Sequence, residues 1–151
     1  MRRKKFEPGN FKLKIKRSSA GLGLFAGEDI PKGVCIIEYV GRPIAEDEKY
    51  SSRSKYLFEV NSRVTIDGRS RDNTARYINH SCHPNCEPEI RRGRIFIMAK
   101  KKIKSGQELV YDYGKEYWDD HIKPHGCRCR KCSEKKYKKR GTRMASCHVR
   151  A

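Results

Sequence analysis

The sequence predicts a mostly β protein with little helix, arranged as small sheets rather than one long one. Two observations lead there. Short runs rich in Val, Ile, Tyr and Phe recur along the 151 residues, each bounded by Gly, Pro, Asn or Ser. No repeat and no long amphipathic helical pattern interrupts them. At this length one domain with a real core is expected.

The elements can be justified in order. Residues 1–11 open with MRRKK and pass through Pro8-Gly9-Asn10, a basic arm. FKLKIK, 11–16, alternates apolar and cationic residues, as a half-buried strand does. SSAGLGLFAG, 18–27, is a small-residue turn followed by a short apolar piece, and IPKG, 30–33, is turn chemistry. VCIIEYVG, 34–41, is a strand closed by glycine. AEDEKYSSRSK, 45–55, is the most polar stretch and fits a short helix or a loop. YLFEV, 56–60, and VTID, 64–67, read as strands joined through Asn61-Ser62-Arg63. DNTARYIN, 72–79, fits a short helix capped by Asp72 or Asn73. Residues 86–103 read as two strands around Arg92-Gly93, and SGQELVYDYG, 105–114, as a turn, a strand and a glycine stop. Residues 115–126 read as irregular and aromatic.

The net charge of +18 sits at the ends. Residues 1–17 hold eight Lys/Arg against Glu7, and residues 128–143 hold nine against Glu134, whereas the body between is nearly balanced. Cationic ends suit a polyanion such as nucleic acid or the nucleosome. No apolar run is long enough to span a membrane, and no apolar stretch follows MRRKK as a secretory signal requires. A cytoplasmic or nuclear, chromosome-associated protein is expected. Seven cysteines, an odd number, with three of them inside CRCRKC at 127–132, speak for a metal rather than a disulfide framework. The fourth ligand is open on spacing alone: Cys82, Cys86, Cys147 and His125 all qualify.

NHSCHPN, 79–85, offers His80, Cys82 and His83 as ligands, Cys82 as a nucleophile, or simply a turn rich in Asn, Ser and Pro. On composition the turn is the simplest reading. AGLG, 20–23, is a turn or a close approach of backbone to a ligand. Tyr111 and Tyr113, two apart on a strand, face the same way and line a pocket or fill a core.

Each piece is modest, but their order is specific. S-x-x-G-x-G-L-F-A, I-P-K-G, E-Y-V-G, R-Y-I-N-H-S-C-x-P-N, G-x-E-L-x-Y-D-Y-G and C-x-C-x-x-C succeed one another. This succession resembles the SET domain of protein lysine methyltransferases with its post-SET cysteine cluster, over about residues 12–132. Without a preceding zinc region, it looks like the minimal, free-standing type found in bacteria and viruses. The resemblance implies small curled β-sheets with a C-terminal pseudoknot. It divides the chain into a basic arm (1–11), a SET domain (12–117), a post-SET cysteine segment (118–133) and a basic tail (134–151).

It further implies S-adenosylmethionine (SAM) as cofactor, bound by Ala20, Gly21, Leu22, Gly23, Asn79 and His80. Tyr56 and Tyr113 then lie beside the transferring methyl, and Trp118 or Tyr117 closes a pocket. Zn²⁺ is implied at Cys82, Cys127, Cys129 and Cys132, although C-x-C-x₂-C is shorter than the usual C-x-C-x₄-C. Tyr111 occupies a position that is Phe or Tyr in the family; its hydroxyl implies monomethylation. The implied substrate is a histone or another basic nucleic-acid-associated protein. The basic ends would hold DNA, and Glu46, Asp47 and Glu48 would offer an acidic groove. The competing class is a non-enzymatic basic zinc module that binds nucleic acid or chromatin.

Overall fold

A computed structural model of the chain describes residues 5–139. Its first hairpin pairs β1 (Leu13–Ser18) with β2 (Gly21–Ala26), and Ser18 sits opposite Gly21. The turn is therefore Ser19-Ala20 alone, and Gly21 follows it with φ +101°, a conformation that L side chains resist. The two glycines expected in a turn thus belong to a strand.

The second sheet is ordered β3-β9-β8, from β3 (Cys35–Tyr39), β8 (Cys86–Arg91) and β9 (Arg94–Ala99). Arg92 and Gly93 join the last two with φ of 50° and 74°, the paired positive values of a tight type I′ hairpin turn. β9 reads RIFIMA, an apolar run instead of an alternation, because it is buried on both faces. Ile95 and Ile97 point into the main core, while Phe96 and Met98 pack with Cys35 and Phe6 on the other side. Phe6 reaches Phe96 at 5.5 Å, and the Gly9 amide donates to the Cys35 carbonyl at 2.9 Å. The described part of the expected basic arm thus lies on this sheet.

The third sheet is ordered β4-β6-β5, from β4 (Arg42–Ala45), β5 (Leu57–Glu59) and β6 (Val64–Asp67). Helix α1 (Glu46–Ser51) follows β4 in the polar stretch. Thr74–Tyr77 forms a 3-10 turn, but neither proposed cap residue caps it. Asn73 is fully buried and ties two loops together instead: its amide donates to the Gly68 carbonyl at 3.0 Å, and its Oδ1 accepts from the Val40 amide at 3.1 Å.

β7 (Asn79–His80) and β10 (Glu108–Tyr111) complete the first sheet, ordered β1-β2-β10-β7. β10 runs antiparallel to β2 and parallel to β7, so the late strand is inserted between two earlier segments. Asn85 completes the enclosure. Its side chain donates to the Glu108 carbonyl at 2.8 Å and accepts from the Val110 amide at 3.0 Å, imitating a strand partner. The NHSCHPN loop thus wraps the strand that carries Tyr111, which is the pseudoknot the resemblance implied.

Beyond Gly114 the expectation of irregular chain fails over residues 115–122 and holds over 123–126. Lys115–Tyr117 (α2) continues into one π turn, Trp118–Ile122, supported by a Lys115–Asp119 pair at 3.6 Å and by the Tyr117 and His121 rings at 4.6 Å. Helix α3 (Arg130–Lys139) then crosses the expected boundary at 133/134. Residues 1–4 and 140–151, with most of the expected tail, lie outside the described residues. No described helix is long and apolar enough to cross a membrane.

Candidate active site and thiol centre

A cleft of about 1340 Å³ opens between the first and third sheets, and Tyr56, Asn79, His80, Tyr111, Tyr113 and Tyr117 all line it. Three elements bring them together. β10 ends at Tyr111, and Tyr113 follows two residues on, so the two rings leave the chain on one side and meet at 4.9 Å. α2 carries Tyr117 edge-on to Tyr113, also at 4.9 Å. β7 places His80 against Tyr113 at 5.5 Å.

Tyr113 is anchored at both ends. Its amide donates to His80 Nδ1 at 3.1 Å, and its hydroxyl donates to the Ile78 carbonyl. Burial raises its phenol well above the ordinary value, with Tyr117 next in effect; Tyr111, 5% exposed, is raised for the same reason, with Tyr113 next. Both stay neutral hydrogen-bonding groups at any ordinary pH. Burial lowers the His80 pKa, opposed by Asp112. Tyr56 lies under the Arg76 guanidinium, 4.4 Å from its ring, while its carbonyl accepts from the Tyr39 hydroxyl at 2.7 Å. A side chain on Gly68 would strike the Tyr39 ring, so glycine there permits this packing.

Asn79 ties three segments. Its amide nitrogen lies within hydrogen-bond distance of the Leu22 carbonyl at 2.8 Å, and of Ser18 Oγ and Glu108 Oε1 at 3.0 Å each. Its Oδ1 takes no hydrogen bond among the described residues. Strand alternation then sorts the hairpin: Ala20 and Leu22 line the cleft, while Gly23 turns toward Glu108, whose carboxylate occupies the space a side chain would need. Sequence reasoning missed Ser18 and Glu108; the one available signal was a carboxylate opening an otherwise apolar strand.

Beside the cleft, the sulfurs of Cys82, Cys127, Cys129 and Cys132 all lie within 4.8 Å of one another. Cys82 Sγ is 3.5 Å from Cys127 Sγ and 3.7 Å from Cys132 Sγ. Four thiolates at ~2.3 Å from one zinc would stand roughly 3.8 Å apart, so the donor set fits a tetrahedral ion despite the short C-x₂-C spacing. Cys129 is buried, which opposes ionisation. Even so its pKa is lowered, because the backbone N–H groups of Cys82 and Cys132 point at its sulfur. Cys86 faces the main core instead, its thiol pushed up to about 12 by burial. His83 takes no part; its amide closes a turn on Ser81 Oγ at 3.0 Å.

Trp118 packs on these cysteines with Ile122 and meets His80 at 5.6 Å. It therefore connects the thiol centre to the cleft wall, and Tyr117 is the aromatic residue that faces the cleft itself. The Ser19 hydroxyl donates to the Arg128 carbonyl at 2.6 Å, tying the β1-β2 turn to the cysteine segment. Of the three carboxylates expected to offer an acidic groove, Glu48 is paired with Arg42, and none of Glu46, Asp47 and Glu48 lines the cleft.

Comparison with known proteins agrees with this geometry. Residues 21–114 match the model of the SET domain. The chain is 41% identical over 125 residues to histone-lysine N-methyltransferase trr of Drosophila melanogaster, covering 74% of this chain and 5% of that protein. It is 39% identical over 127 residues to human histone-lysine N-methyltransferase 2D, covering 74% and 2%. Among solved structures it resembles KRYPTONITE in complex with mCHH DNA, H3(1-15) peptide and SAH. That match has a TM-score of 0.61 and 33% identity, over 70% of this chain and 24% of that one. The chain thus spans a small part of each relative's length. The matched strands, the enclosed β10 and the NHSC loop place the chain in the SET-domain family.

Proposed function

We propose that this chain is a protein-lysine N-methyltransferase that uses SAM. The observation that carries it is the convergence of Tyr56, Tyr111 and Tyr113 on a cleft walled by Asn79 and His80. The names of its relatives and the SAH and histone peptide in its structural neighbour support the same reading.

The residues fit SAM. The cleft has room for a nucleoside and an incoming side chain together. The rings of His80, Tyr113 and Tyr117 suit a sulfonium, and the Asn79 Oδ1 offers an acceptor. SAM, when bound, supplies a methyl group on a cationic sulfur. Ala20, Leu22, Asn79 and His80 form the wall that would hold it; Gly21 and Gly23 shape that wall from behind, and Trp118 acts through His80. The target lysine would enter among Tyr56, Tyr111 and Tyr117. Its amine has a pKa of ~10.4 in water, and a dry aromatic channel lowers it and frees the lone pair. The Tyr113 oxygen, its proton engaged by Ile78, is left to accept weak C–H contacts and stabilise developing charge.

Zn²⁺ at Cys82, Cys127, Cys129 and Cys132 would fasten residues 118–133 to the SET domain, a structural role outside the transfer. The Tyr111 hydroxyl fills space and can bind the amine, which favours monomethylation. The substrate we propose is a histone or another basic nucleic-acid-associated protein, with the cationic ends on nucleic acid and the enzyme associated with chromatin.

Mass spectra of products from the wild type and Tyr111→Phe test the product reading. Monomethyl-lysine from the former and more di- and trimethyl-lysine from the latter are expected; identical distributions contradict the role of Tyr111. No transfer to any protein, with the fold intact, contradicts the enzyme and leaves the basic zinc module as the better description.

A further inference from the structure

The mouth of the cleft is not electrically uniform. One wall is made of two loops that are locked together. The Gly68 amide donates to the Tyr56 carbonyl at 2.9 Å, the Ser54 hydroxyl to Asp67 at 2.8 Å, and the Arg69 guanidinium to Ser52 Oγ at 3.3 Å. From this double loop Arg53, Lys55 and Arg71 project to the cleft rim, exposed. None of the three has an ion pair or side-chain hydrogen bond among the described residues. Three of the carboxylates nearby are paired with other cations, Asp67 with Arg69, Glu48 with Arg42 and Glu59 with Lys49, while Asp72 accepts only from the Ser70 hydroxyl. The opposite wall, on α2 and the π turn, carries Glu116 and Asp120, and no ion pair holds either among the described residues. Glu116 lies near enough to raise the Lys49 pKa, after the larger effect of Glu59.

A segment that threads this mouth to deliver a lysine therefore passes, on one side, three cations that no ion pair holds among the described residues. We infer that the enzyme prefers a lysine with a carboxylate within roughly three residues of it, the ~10 Å that such an extended stretch spans, and that Arg53, Lys55 and Arg71 receive that carboxylate. This rests on the methyltransferase reading and sharpens it: within a basic protein, a mixed-charge segment is selected over a uniformly cationic tail. Exposed charge pairs act mainly through discrimination and encounter rate, so the preference is electrostatic and salt-sensitive.

The test is a set of lysine peptides alike in length, with Asp, Ala or Arg scanned through the flanking positions, methylated by the wild type and by the charge reversal Arg53→Glu/Lys55→Glu. A melting curve of the variant establishes that it folds. The expected result is roughly a fivefold advantage in kcat/KM for the best Asp peptide over its Ala counterpart, the upper reach of an exposed pair. That advantage should shrink with added salt and pass to the Arg peptide in the variant. Equal rates across the set, or a wild-type preference for Arg, overturns the inference and leaves the methyltransferase standing. No transfer to any peptide or to intact histones, with the protein folded, overturns both.

Discussion

The β-sheet body and the C-terminal cap are held together by different physics. In the body, β9 alone contributes Ile95, Phe96, Ile97, Met98 and Ala99, all at most 4% exposed, between neighbours on both edges. The cap, from Lys115 to the end of α3, has no such core among the described side chains: Trp118 and Ile122 pack against a knot of cysteines, and Tyr117 meets Tyr113. Apolar burial accumulates over many residues and tolerates the loss of one. Four sulfurs on one ion would act as a unit, and the cap would then depend on all of them. The candidate site lies across this seam: Asn79, Tyr111 and Tyr56 belong to the body, and Tyr117 to the cap.

The sharpest way to break the comparison is to remove what holds the cap. Treatment with a strong zinc chelator, or Cys127→Ser, should abolish amide-exchange protection over 115–139 while β9 stays protected, because a structural zinc site contributes on the order of 10 kcal/mol. If cap and body lose protection together, they are one cooperative unit and the contrast is wrong. A smaller effect is expected in the body. Ile97→Ala, at a fully buried position, should cost about 2–5 kcal/mol in denaturant unfolding, without altering metal content measured by elemental analysis.

The smallest effect concerns Asp67, which pins the β5-β6 side of the cleft. Burial opposes its charge, but hydrogen bonds from Arg69 and Ser54 outweigh this and hold its pKa below the ordinary 3.8. Because the folded value is depressed, its contribution is present above about 3.8 and is lost as pH falls through the folded pKa. Asp67→Asn should therefore cost about 1 kcal/mol near neutrality, Arg69 being largely exposed. The deficit against wild type should fade in acid; a deficit constant from neutral pH to pH ~2 would remove the ionic account.

The same division governs how much could be read from the chain. Strands that alternate or sit between turn residues were legible, as at VTID and around Arg92-Gly93, because the cause is local. β4 was not: RPIA buries Ile44 alone and opens Arg-Pro, so nothing local marks it. The α2 segment was not, since its turns are held by aromatic contacts and one ion pair rather than by an apolar stripe. The tyrosines, the NHSC loop and the cysteines were legible through the order of motifs. The Ser18–Asn79–Glu108 junction was not, because its bonds join residues 61 and 29 positions apart. The glycines of AGLG were found but read as part of a turn; they belong to β2, where alternation turns Leu22 toward the cleft, a distinction invisible in a turn.

The most direct test of the central claim is mass spectrometry of core histones, free and nucleosomal, incubated with SAM and either the wild type or Tyr113→Phe. The account predicts methyl-lysine from the wild type and a loss of roughly 10²-fold or more in the variant, as for removal of a key polar group at the reacting centre. Equal methylation by both proteins would contradict it, because the phenol on which the cleft converges would then have no part in the chemistry.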